Sequence, residues 1–229
     1  MADPSAVIFD LDDTLYPERR FVLSGHAAVA RVVAAETGMP PRVLFRYLAR
    51  RFQRQGREGL LQAFCAAHGL PVAEVPRYVE IIRTHTPRLR LPRLSTEVLA
   101  ALRRQGCRLG ILTNGLPMTQ RAKVAALGLD AHVEAVTYAQ EHAPEGKPAR
   151  SCFVAVLRRL DVEATRAVFV GDHPEKDIAG AAAVGLRTIW VPARGAAPDR
   201  VSADAVARSL ADVPRLAAHL LEDRHVASC

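Results

Sequence analysis

Lysine is nearly missing from this 229-residue chain: 28 of its 31 basic side chains are arginine, and the three lysines are Lys123, Lys147 and Lys176. Aromatic residues are also scarce, at 5%, and no nucleic-acid recognition module is legible, so nucleic-acid binding is not expected despite a net charge of +7. The four cysteines, Cys65, Cys107, Cys152 and Cys229, show no CxxC spacing. That argues against a zinc site or a disulfide framework and for ordinary buried thiols in a reducing compartment. No run approaches the ~18 apolar residues of a membrane span. The opening Met-Ala-Asp-Pro has neither the basic nor the apolar stretch of a signal peptide. The expectation is a soluble cytoplasmic protein with no membrane partner.

What the chain does contain is enough apolar residue, 49%, to bury a sizeable core. Ala6 to Phe9 is a short apolar run that ends on Asp10, as a strand buried on both faces does when it closes on a site. From residue 19 to about 92 the apolar spacing is helical, punctuated by Gly38, Gly56, Gly69 and Pro87. The spacing predicts helices over 21–36, 41–55, 57–68 and 73–85, a small bundle. Between Leu15 and Ser95 there are 14 arginines, five glutamates and no aspartate or lysine. Such a surplus fits either solvated helix faces or a positive lid that draws phosphorylated ligands inward.

Past residue 94, helical and strand patterns alternate: helices over 94–105, 118–127, 151–160, 176–184 and 210–221, strands over 108–114, 133–138, 167–170 and 188–191. That order predicts an α/β fold with a parallel sheet covered on both faces, interrupted after its first strand by the helical block. Three strands then close on polar residues, Asp10, Thr113-Asn114 and Asp172, and Lys147 lies in a connection of the same sheet. In a parallel sheet these ends point one way, so the groups can converge. Taken singly, each has a plainer reading: an acidic turn at Asp10, a turn cap at Thr113-Asn114, a surface charge at Lys147, a helix cap at Asp172. On the helix after Thr113-Asn114, Met118 is expected to pack and Gln120 to face solvent. His173 is read as a loop residue without a role.

Asp10-Leu11-Asp12-Asp13-Thr14, Thr113-Asn114, Lys147-Pro148 and Gly171-Asp172-His173-Pro174-Glu175-Lys176-Asp177 together resemble the four ordered motifs of the haloacid dehalogenase-like hydrolase superfamily. The similarity is to its helical-cap phosphatases of the nucleotidase and sugar-phosphatase kind. It implies a Rossmann-like doubly wound core over 1–15 and 95–229 and an inserted helical cap over 16–94, hinged near residues 15–17 and 91–95. It also implies roles: Asp10 as nucleophile, Asp12 as acid and base, and Thr113 and Lys147 on the non-transferred phosphoryl oxygens. Mg²⁺ would be held by Asp10, the Asp12 carbonyl, Asp172 and Asp177, the last directly or through water. Thr14, Asn114 and, from the helical block, Arg20 are further candidates for substrate contact. The implied reaction is Mg²⁺-dependent hydrolysis of a small phosphorylated metabolite, a nucleotide or sugar phosphate. A phosphomutase on the same site and a non-catalytic binding protein on the same fold are the alternatives. Asp12 argues against carbon–halogen hydrolysis, whose enzymes in this superfamily lack that acid. The lysine-free helical block argues against phosphonate cleavage through a cap imine. Ala149-Arg150-Ser151-Cys152-Phe153 departs from the usual residues after the motif lysine, so a different local loop is expected there.

Overall fold

Six strands, β1 (Ala6–Phe9), β2 (Arg108–Thr113), β3 (Ala135–Tyr138), β4 (Ala167–Gly171), β5 (Arg187–Trp190) and β6 (Ala205–Val206), form one sheet. Their order is β3-β2-β1-β4-β5-β6, with every pairing parallel. The computed structural model describes residues 4–192 and 201–222; Cys229 lies outside them, while Cys65, Cys107 and Cys152 are buried free thiols. β1 is central, with all four residues fully buried between β2 and β4, which is why its sequence shows no polar alternation. The chain order reverses beside β1, between β1 and β4. In an open parallel sheet a crevice opens at that point, beyond the carboxyl ends of the strands.

Helices α5 (Arg93–Arg104), α6 (Pro117–Leu127), α7 (Arg150–Leu160) and α9 (Val213–Glu222) belong to this sheet unit. α7 lies close on β2, since a Cβ on Gly110 would stand 2.8 Å from Leu160 Cδ1. Its Phe153 meets Phe169 of β4 edge-on at 5.3 Å. Truncating either ring would cost about 3–5 kcal/mol.

Residues Glu18–Leu89 form a second compact unit, joined to the sheet unit on either side of it in sequence, after Pro17 and before Arg90. It holds α1 (Arg19–Thr37), α2 (Pro41–Gln55), α3 (Leu60–His68) and α4 (Val75–Thr84) around Val29, Val33, Leu44, Leu48, Phe64 and Tyr78. α1 ends where Gly38 turns left-handed at φ 72°. α3 starts at Leu60 and not at 57, because Gly59 at φ 58° breaks the preceding turn. No helix among the described residues is long and apolar enough to cross a membrane.

The main departure from the sequence pattern follows β4. Where a helix is expected over 176–184, the chain winds as a π-helical segment over Pro174–Ala179 and continues as α8 (Gly180–Ala182). His173 accepts from the backbone N–H groups of Glu175 and Lys176, so it caps this segment, a job that the sequence offered to Asp172. The two-residue β6 is too short to carry a period and had no sequence signal.

Candidate active site

β1 delivers Asp10 directly to the sheet end, where its backbone N–H still donates to the Val170 carbonyl at 2.9 Å. Lys147, 2% exposed, reaches in from the connection between β3 and α7. Its ammonium donates to Asp10 Oδ1 at 2.6 Å and to Asp177 Oδ1 at 2.7 Å. Asp177 in turn accepts from the His173 backbone N–H at 3.1 Å and packs against Gly171, where a Cβ would fall 2.5 Å from its Oδ2. Glycine is required there by close approach. The single tryptophan, Trp190, donates its indole N–H to the Asp172 carbonyl and fixes that turn.

Carboxylate oxygens of Asp10, Asp172 and Asp177 lie within 4.8 Å of one another. Three carboxylates thus face one ammonium. Burial pushes Asp10 up to about 8, with Asp177 and Asp12 adding to the rise and Lys147 opposing it. Asp172 is raised to about 6, by burial and then by Asp177 and Asp13. Burial works against a charged Lys147, but Asp10 and Asp177 outweigh it and hold the ammonium above its ordinary value. An all-oxygen cluster with surplus negative charge is the donor set that a hard divalent cation takes.

The loop that carries Lys147 is clamped by Asn114. Its side-chain oxygen accepts from the Lys147 N–H at 2.8 Å, and its amide donates to the Lys147 carbonyl at 3.1 Å. Gly146 turns left-handed just before, at φ 70°, where a Cβ would collide with Gln140 and Asn114. The Lys147–Pro148 peptide is cis. Asn114, a candidate for substrate contact, therefore spends both ends of its side chain on holding Lys147.

Asp12 has its own set of donors. The chain turns back at Asp13, which sits at φ 59°, and Tyr16 donates to Asp12 Oδ1 at 2.6 Å. From α6, Lys123 reaches both carboxylate oxygens, at 2.9 and 2.7 Å, and Gln120 donates to Oδ2 at 2.9 Å. The same Gln120 nitrogen donates to the hydroxyl of Thr113, which is fully buried, at 2.5 Å. The faces of this helix are the reverse of those expected: Gln120 is 2% exposed and Met118 is 56% exposed. Pro117 sets the helix start so that Gln120 and Lys123, three apart, share the inward face. The Thr14 hydroxyl is buried and has no partner among the described residues. Arg20 lies on α1 of the helical unit.

A family model described as haloacid dehalogenase-like hydrolase matches residues 4–185. The chain belongs to that family. Over 81% of its length this hydrolase is 35% identical to ribulose-1,5-bisphosphate 5-phosphatase of Halopiger xanaduensis, 83% of which is covered. Over the same share it is 29% identical to glyceraldehyde 3-phosphate phosphatase of Methanopyrus kandleri, again covering 83%. Among solved structures, the 2-haloacid dehalogenase of Pseudomonas syringae pv. Tomato DC3000 is similar at 28% identity and a TM-score of 0.63, over 94% of this chain and 99% of that one. These likenesses extend through both the sheet unit and the inserted helices.

Proposed function

We propose that this hydrolase is a phosphomonoesterase that forms an aspartyl-phosphate on Asp10, with Mg²⁺ as its ion. The observation that carries the reading is the Asp10–Lys147–Asp177 bridge beside Asp172, with a second, separately held carboxylate at Asp12. Asp10 attacks the phosphorus in line while the ester P–O bond breaks and Asp12 gives the departing oxygen a proton. Water then attacks the phosphorus of the aspartyl-phosphate and passes a proton back to Asp12, while the P–O bond to Asp10 breaks and frees its carboxylate and inorganic phosphate. Lys147 and the Thr113 hydroxyl hold the phosphoryl oxygens that are not transferred. The oxygens of Asp10, Asp172 and Asp177, with the Asp12 carbonyl, suit Mg²⁺, which when bound supplies positive charge to the phosphoryl group.

The named activities of the two phosphatase relatives support a small sugar phosphate as substrate. Residues 18–89 are assigned the role of a cap that controls access of substrate and water, since they are inserted in the loop that carries Asp10, Asp12 and Thr14. Asp12 weighs against the dehalogenase reading that the third likeness invites.

Phosphate release from a panel of sugar phosphates and nucleoside monophosphates, with and without Mg²⁺, tests this for the wild type and Asp10→Asn. Mg²⁺-dependent turnover abolished by the substitution is the expected result. Undiminished turnover by Asp10→Asn would sink the covalent route, and no release from any ester would sink hydrolysis itself.

A further inference from the structure

Lys123 is the second buried lysine of the chain, at 3% exposure, and the chemistry above leaves it without a task. It lies across both oxygens of Asp12, Gln120 adds a bond to one of them, and Tyr16 holds the other. Donors from α6 and from the turn after β1 thus reach both oxygens, and when Asp12 carries a proton one of the two Lys123 bonds gives way while the other donors keep the carboxyl's direction. An aspartate left to itself samples three χ1 wells and a broad χ2; this set of bonds leaves one orientation.

A buried ion pair is a weak source of stability, because desolvation offsets much of the attraction, and apolar packing would hold α6 as well. What the pair adds is direction. The residue type supports this: in a chain with 28 arginines, the site beside Asp12 carries a lysine. A compact ammonium can sit between two oxygens of one carboxylate in a closed space that a planar guanidinium fork would overfill.

We propose that Lys123 and Gln120 are positioning residues. They fix the orientation of the Asp12 carboxyl and, through the shared Gln120 amide, keep it in register with the Thr113 hydroxyl. The proposal rests on reading Asp12 as proton donor to the leaving group. In that step the P–O electron pair goes to the departing oxygen and the Asp12 proton follows it. A misdirected Asp12 therefore slows only those esters whose leaving group needs the proton.

The test is first-turnover cleavage of two esters, p-nitrophenyl phosphate, whose phenolate leaves unprotonated, and glycerol phosphate, whose alkoxide does not. Lys123→Met should slow the alkyl ester about 10²-fold, within the range of general-acid contributions, and change the nitrophenyl ester by less than about threefold. Gln120→Met keeps the buried charges balanced and serves whether or not Lys123→Met folds. It should slow the alkyl ester about tenfold, below the full general-acid contribution because Lys123 still holds Asp12, and raise KM for both esters, since the Thr113 hydroxyl loses the Gln120 amide. Equal slowing of both esters, or no slowing in folded protein, would make the pair purely structural. Asp12→Asn run alongside separates the two readings. A leaving-group split in Asp12→Asn that is absent from the α6 variants overturns the positioning role alone. If Asp12→Asn itself shows no split, the role given to Asp12 fails and this proposal falls with it.

Discussion

Replacing Lys147 by methionine isolates the charge at the centre of the site, because the unbranched side chain keeps most of the stem volume. Lys147 bridges Asp10 and Asp177, whose side chains are 9% and 2% exposed. Removing one partner of a buried pair costs about 3–5 kcal/mol. Asp10, already pushed up to about 8, takes up a proton more readily in the variant, which keeps the loss near the lower figure. For a chain of this size about 3 kcal/mol corresponds to a fall in Tm of roughly 6–12 °C. The sign of the pH dependence follows from linkage. Without the ammonium, burial holds the Asp10 proton in the folded state more tightly still than in wild type. Its contribution is intact below the unfolded value of about 4 and is lost as pH rises toward the folded value, about 8 in wild type and higher without Lys147. The deficit relative to wild type should be smaller near pH 5 than near pH 9, where wild-type Asp10 is ionised against Lys147, and partly recovered by millimolar Mg²⁺. Differential scanning fluorimetry at both pH values, with and without Mg²⁺, reads all three effects. A deficit independent of both pH and Mg²⁺ would refute the electrostatic argument and leave Lys147 as packing.

Three further outcomes follow from the geometry. Gly171→Ala places a Cβ 2.5–2.6 Å from Asp177, so it should cost about 1–3 kcal/mol by overpacking and weaken divalent-cation binding about 10-fold or more, measured by isothermal titration calorimetry. Since Asp172 is raised to about 6, protons compete with the cation below that value, and the rise in Tm caused by Mg²⁺ should fade between pH 7 and pH 5; a rise that persists at pH 5 would contradict the cluster as the binding site. In the helical unit, burial and then Arg57 lower His26 to about 4, and its Nδ1 has no partner among the described residues. The unfolded chain takes up the His26 proton first, so stability should drop by about 3 kcal/mol as pH falls from 6.5 toward 4, and His26→Leu should flatten that decline in acid-denaturation curves.

Much of the fold was legible because parallel strands buried on both faces and helices stopped by glycine write their boundaries locally. β1 lies where Ala6 to Phe9 meets Asp10, and α2 spans the expected 41–55. Local patterns failed where neighbours far along the chain decide the geometry. The π turn after His173 is shaped by Asp177 packing onto Gly171, and nothing in residues 174–184 announces it.

The same division runs through the site. Asp10, Asp12, Thr113 and Asp172 stand at or just past strand ends, Lys147 in the connection after β3 and Asp177 in the segment after β4, and the topology of a parallel sheet brings these ends and connections to one side, so their convergence was legible from order. Lys123 carried a signal too, while Gln120 carried none: lysine is rare in this chain, and two of its three lysines are buried against carboxylates. Composition could mark the lysines as unusual, but it could not say which carboxylate each would meet. That choice depends on the face α6 turns toward β1 and on the loop that Asn114 clamps, contacts spanning from 33 to 111 residues of sequence. The sequence by itself thus determined which groups stand at the sheet end. Only tertiary packing decided which cation faces which carboxylate, because charge pairing in a buried site is set by distance in space and leaves no period along the chain.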